Sequence, residues 1–139
     1  MNWIVTLCIL LLSSTQLQAQ ETPVEVPQIG IRVDLRSTVE IEGVKITFLE
    51  VLEDSRCPKD VTCIWEGRVR AFVRIETPGE APVEKEVIIG KTLQNESANK
   101  TLAVTSDFRL AGLNVLPYPE TAAGEKGPYT LLVVKQKLQ

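Results

Sequence analysis

The chain has 139 residues, with 15 Lys and Arg against 18 Asp and Glu, a net charge of −3 and no histidine. A mild negative balance argues against nucleic acid, which demands clustered positive charge. The missing histidine removes the commonest general base, the usual partner of a Ser or Cys nucleophile and the commonest transition-metal ligand, so neither an enzyme nor a cofactor or metal ion is expected.

The opening stretch, MNWIVTLCILLLSSTQLQAQ, carries no charged side chain, and Trp3 to Leu12 form an apolar run. The run is too short for a transmembrane helix, which needs about 20 residues. Polar residues follow, then Leu17-Gln18-Ala19, with a small residue where a signal peptidase would cut. Residues 1–19 therefore read as a secretory signal peptide, although no Lys or Arg precedes the apolar run. Cys8 lies inside the run in a poor lipoprotein context, so no lipid anchor is expected and no stable membrane span remains after cleavage. The expected setting is secreted or periplasmic. Residues 20–27, QETPVEVP, read as an extended leader, and 28–139 as one domain with a single sizeable core.

From residue 28 on, the apolar period is two rather than 3.6. In IGIRVDL, Ile29, Ile31, Val33 and Leu35 share one face. TVEIEGVKITFLEVLED reads as a hairpin turning near Glu42-Gly43. Its second arm changes phase, because Ile46 and Phe48 share a face while Leu49 and Val51 take the other. A bulge near Leu49–Glu50, or burial on both faces, accounts for that. RVRAFVRIE places Val69, Ala71, Val73 and Ile75 on one face and Arg68, Arg70, Phe72 and Arg74 on the other. TPGEAP breaks the pattern before the strand VEKEVIIG. A polar loop, LQNESANK, precedes the strands TLAVT and FRLAGLNVL, and a loop rich in Pro and Gly leads to YTLLVVKQK. Two formal glycosylation sequons start at Asn95 and Asn99. About eight short strands without convincing helical period predict an all-β protein, an antiparallel β-sandwich or open barrel with one disulfide-closed loop.

The arginine face of RVRAFVRIE has two readings. It is an anion or glycan surface in which arginines and an aromatic ring cooperate, or a solvated face neutralised across strands. Pairing with VEKEVIIG at an even register sum puts Glu84 and Glu86 opposite the arginines, which favours the second reading.

The centre of the chain, DSRCPKDVTCIWEG, holds Cys57 and Cys63 six positions apart. Redox dithiols usually have two intervening residues at a helix start, and a structural zinc site needs four ligands, so neither fits well. An even pair in an exported chain most simply forms one disulfide, and a bridge closing so short a loop restricts the unfolded chain by about 2.4 kcal/mol. Pro58 stiffens the loop, and Trp65 is placed to cover the bridge from one side. A rigid loop is also a candidate recognition element, carried by Arg56, Pro58, Lys59, Asp60 and Trp65. Arg56 or Lys59 presented to a trypsin-like pocket would make the protein a proteinase inhibitor. The acidic residues Glu50, Glu53, Asp54, Asp60 and Glu66 gather nearby, but their spacing matches no calcium loop and selects no catalytic pair.

The pattern D-S-R-C-P-x-x-V-x-C-x-W-x-G, carried by Asp54 to Gly67, resembles that of a family of small secreted or envelope-associated bacterial proteins, mostly uncharacterised. The later LNVLPYP and YTLLVV are similar to that family's C-terminal half. This chain departs by having Glu66 between Trp65 and Gly67, which bears on what the loop presents. The resemblance implies a β-rich secreted domain and no particular activity. The expected role is a non-catalytic binding or structural module of the cell envelope or extracellular medium, with an unidentified protein or glycan partner. The alternatives are the inhibitor and a histidine-free carboxylate enzyme.

Overall fold

The computed structural model describes residues 29–96, 99–121 and 127–138. The expected signal peptide, the leader, Cys8, Ser97 of the first sequon and residues 122–126 of the Pro- and Gly-rich loop lie outside the described residues.

The described chain is all-β, with eight strands in two antiparallel four-stranded sheets that do not close into a barrel. They are β1 (Ile31–Asp34), β2 (Thr38–Ile41), β3 (Val44–Asp54), β4 (Arg68–Glu76), β5 (Val83–Gly90), β6 (Thr101–Val104), β7 (Phe108–Leu116) and β8 (Thr130–Lys137). One sheet runs β1-β8-β7-β6 and the other β2-β3-β4-β5. Alternation supplies a buried face to each, and the two faces meet in one core. Among the described residues Phe48 is its one fully buried aromatic ring. Ile46, Val69, Val73 and Val87 join it from its own sheet, with Val33, Leu110, Val115, Leu131 and Val133 opposite. Branched side chains stack well on a pleated surface, so a core this rich in valine favours sheet over helix.

Local details follow the residues. Glu42 and Gly43 both have positive φ, which matches the right-handed strand twist and turns β2 into β3 within two residues. The phase change in β3 is a bulge. Phe48 pairs with Val73, the next pair is Glu50 with Phe72, and the extra residue returns Val51 to the core side opposite Ala71. A second shift lies between Val51 and Glu53. Ile29 corrects the expected β1 face: the strand begins at Ile31, and Ile29 is exposed.

The arginine face forms as the even register requires. Arg74 pairs with Glu84 across β4 and β5, and Arg70 takes Glu86 on the diagonal. Arg68 and Arg70 also share Glu53 from β3, and Arg68 reaches Glu96. Glu96, Arg68, Glu53, Arg70 and Glu86 are linked in one charge network, beside the separate Arg74–Glu84 pair.

Candidate functional site

Three connections meet at one end of the sandwich. Residues 55–67 join β3 to β4, the chain leaving β5 runs beside them, and the segment after β7 folds against them. Backbone bonds tie the three. Ser55 N–H donates to Arg68 O at 2.8 Å, Cys57 N–H to Glu66 O at 3.2 Å, Lys91 N–H to Gly67 O at 3.2 Å and Lys59 N–H to Pro119 O at 3.1 Å. Gly67 makes the crossing possible. Its φ is +67°, and a Cβ there would lie 1.9 Å from Ser55 O. Only glycine lets the two backbones approach so closely.

The 57–63 loop is closed by the Cys57–Cys63 disulfide. Immediately before it, Arg56 turns inward and is only 5 % exposed. Its guanidinium donates to both Asp54 carboxylate oxygens at 2.8 and 2.9 Å, to Val115 O, to Pro117 O at 2.9 Å and to Asn114 Oδ1 at 3.3 Å. Tyr118 stacks on it with the guanidinium carbon 4.4 Å from the ring centre. Asp54 takes a further bond from the Tyr129 hydroxyl at 3.1 Å. Burial alone pushes the Asp54 carboxyl up. The Arg56 bonds and charge, with the Tyr129 hydroxyl, outweigh that and hold it below the ordinary value. Burial and the neighbouring Asp54 charge push Tyr129 up.

This placement corrects the expectation that Arg56 is a presented side chain. Its planar fork meets a carboxylate and two main-chain carbonyls at once, and a fully coordinated guanidinium inside the fold cannot enter another protein's pocket. Lys59 does stand in solvent, paired with Glu120, which raises its pKa. Asp60 accepts from the Thr121 hydroxyl and from its N–H at 3.0 Å, and both contacts lower its carboxyl. Lys59 and Asp60 thus lie along residues 119–121, and the loop is not a free-standing arch.

Trp65 also differs from expectation. Its observed partner is Lys91, whose ammonium lies 4.9 Å from the ring centre, and the ring is 68 % exposed. It lines a depression of about 350 Å³ together with Glu53, Ser55, Arg68, Lys91 and Leu93. The disulfide borders a different hollow of about 410 Å³, where Cys57 and Pro58 face Ile89, Asn114 and Tyr118. Ile64, between Cys63 and Trp65, is 95 % exposed. Leu93 is exposed as well.

The acidic residues near the motif do not converge. Asp54 holds Arg56, Glu53 holds Arg68 and Arg70, and Asp60 holds Thr121. Among the described residues no group of three or more His, Cys, Asp or Glu is placed to hold a metal ion. Lys91, Leu93 and Glu96 were not legible as site residues, because the polar stretch after β5 carries no signal that it returns to the cysteine loop. Tyr118 had one signal, the proline on either side of it.

Comparison with protein-family models, with curated proteins and with solved structures finds no match for this chain.

Proposed function

We propose that this chain is an exported, non-catalytic β-sandwich module that binds a partner of the cell envelope or extracellular medium with its disulfide-braced end. One observation carries the reading. Ile64 and Trp65 stand in water, although a large apolar side chain ordinarily gains by burial. They do so on a segment held by a disulfide, by Gly67 and by the buried Arg56. Rigid aromatic anchors in pre-ordered loops are what binding surfaces use, because little freedom is lost on association.

The sheet edges support a loop-borne site. The edge strands β1, β2 and β6 have four residues each, and the longer edge strand β5 carries Glu84 and Lys85. Short and charged edges discourage strand addition. Export is supported by the apolar opening stretch and by the disulfide, which persists in oxidising compartments. Among the described residues no helix is long and apolar enough to cross a membrane. The motif's resemblance to small exported bacterial proteins points the same way.

The test is binding of the fluorescently labelled domain to the surface of the cells that make it. The Ile64→Ser, Trp65→Ala variant should lose that binding, and Glu84→Gln should keep it. Equal binding by both variants would remove the braced end from the proposal.

A further inference from the structure

We propose that the depression beside Trp65 is a binding site for a ring of a neutral oligosaccharide. This rests on the reading of the braced end as a binding surface and names its ligand class.

The hollow combines an aromatic plate with a fixed polar floor. The indole of Trp65 is held from one side by the Lys91 ammonium, and most of it still meets water. On the floor, the Ser55 hydroxyl donates to Glu53 at 2.8 Å, and Arg68 Nε donates to both Glu53 oxygens at 3.2 Å. These groups lock one another in place before any ligand arrives.

The charges of the depression balance once the groups salt-bridged to its lining are included. Arg68, Lys91 and Glu53 line it, and Arg70, Glu86 and Glu96 are linked to Arg68 and Glu53 by salt bridges, which makes three cations and three carboxylates. A phosphate or carboxylate ligand would meet Arg68 and Lys91 here, but also the Glu53 carboxylate that Arg68 already holds. A lipid chain would take water from Lys91 and Arg68 without replacing their hydrogen bonds, which is unfavourable. A neutral sugar ring fits both halves. Its C–H face lies on the indole, and its hydroxyls, each both donor and acceptor, reach the spare N–H positions of the guanidinium and the ammonium and the Ser55 hydroxyl. The volume, about 350 Å³, suits a small-ligand site with apolar walls and a few placed polar groups.

Trp65 is the only tryptophan after residue 19, so its emission reports this site alone in the processed protein. The processed protein would be titrated with neutral hexasaccharides of several linkages, including β-1,4-glucan, N-acetylated chitin, α-glucan and mannan types, and with polygalacturonate and heparin fragments. At least one neutral series should shift the emission saturably, tighten with chain length and be indifferent to salt. By calorimetry, Trp65→Ala should weaken that sugar roughly tenfold or more, with unchanged circular dichroism, and Trp65→Phe should weaken it less. The proposal is overturned if no neutral series binds, or if only the charged fragments bind and salt abolishes it. Loss of cell binding on Ile64→Ser, Trp65→Ala without any effect of the sugars would overturn the sugar ligand and leave a protein-docking end. Cell binding that ignores those substitutions would overturn both readings.

Discussion

Asp54 and Arg56, two residues apart, face each other in a two-point ion pair at 2.8 and 2.9 Å, with side chains only 5 % and 3 % exposed. The pair joins the sheets. Asp54 ends β3, while Arg56 bonds the carbonyls of Val115 and Pro117 at the end of β7. Removing one partner strands the other charge in the fold. Asp54→Asn and Arg56→Met should each cost about 3–5 kcal/mol in urea unfolding. Arg56→Lys should lose most of that too, because an ammonium cannot reproduce the planar fork. A loss under 1 kcal/mol for Arg56→Met would show that the pair does not hold this end together.

The same cluster acts on both limbs of the pH profile. Asp54 lies below its ordinary 3.8 for the reasons given above. Glu53 lies below 4.5 through the Arg68 and Ser55 bonds, and Glu86 through Arg70. In this range the unfolded chain binds more protons than the folded one. Their contribution is therefore complete above the ordinary values and is lost as pH falls through the folded ones. Tyr129 is raised above 10, so its contribution is complete below that value and is lost as pH rises through the folded one. The urea midpoint should be flat near neutral pH and fall below about pH 5, and in alkali Tyr129 should lower it against a gain from Lys85, whose buried ammonium titrates below its ordinary 10.5. Tyr129→Phe should weaken that alkaline lowering and, by removing a donor from Asp54, shift the acid fall upward. An unchanged alkaline limb would separate Tyr129 from it.

Gly67 offers a sharper contrast. Its φ of +67° disfavours any L side chain, and Ser55 O occupies the place of a Cβ at 1.9 Å. Gly79 has a similar φ of +82° but open space around it. Gly79→Ala should cost about 1 kcal/mol, the conformational penalty alone. Gly67→Ala should cost about 4 kcal/mol or more, since the Ser55–Arg68 crossing must also part. Similar thermal midpoints for the two variants would mean that the crossing yields easily.

The strands were legible because alternation writes burial directly into residue order. β4 shows it in Val69, Ala71, Val73 and Ile75, and β3 shows even its bulge, since Phe48 to Val51 breaks the period. The braced end was less legible. Arg56 reads as a surface charge in any local window, and the carbonyls that bury it lie about sixty residues downstream. Backbone acceptors leave no mark in a sequence. Trp65 likewise gave its rigidity away through the neighbouring cysteine, but its partner Lys91 belongs to a different connection.

Two of the restraints on the 57–63 segment, the disulfide and Arg56, separate experimentally. The disulfide acts on the unfolded chain, while Arg56 acts in the folded one. The Cys57→Ser, Cys63→Ser double variant should lose about 2 kcal/mol, in line with a loop this short. It should keep its sheet circular dichroism, because Arg56 still docks on β7. Faster deuterium exchange should be confined to residues 58–65. Exchange spreading into β7 would show that the bridge, and not Arg56, maintains the contact between sheets.

Lys85 completes the account of the edges. It lies opposite Val73 in the register, so it points to the interior side of β5, and burial lowers its pKa. Among the described residues it has no carboxylate within ion-pair distance. An inward lysine on an edge strand makes a second chain desolvate an ammonium before pairing. Val87 and Ile89 continue the same side of the strand. Lys85→Val would extend that apolar row and should raise stability by about 1 kcal/mol. The same substitution should produce concentration-dependent dimers or larger species in light scattering. A Lys85→Val protein that is more stable and stays monomeric at high concentration would show that Glu84 and Glu86 protect the edge without it.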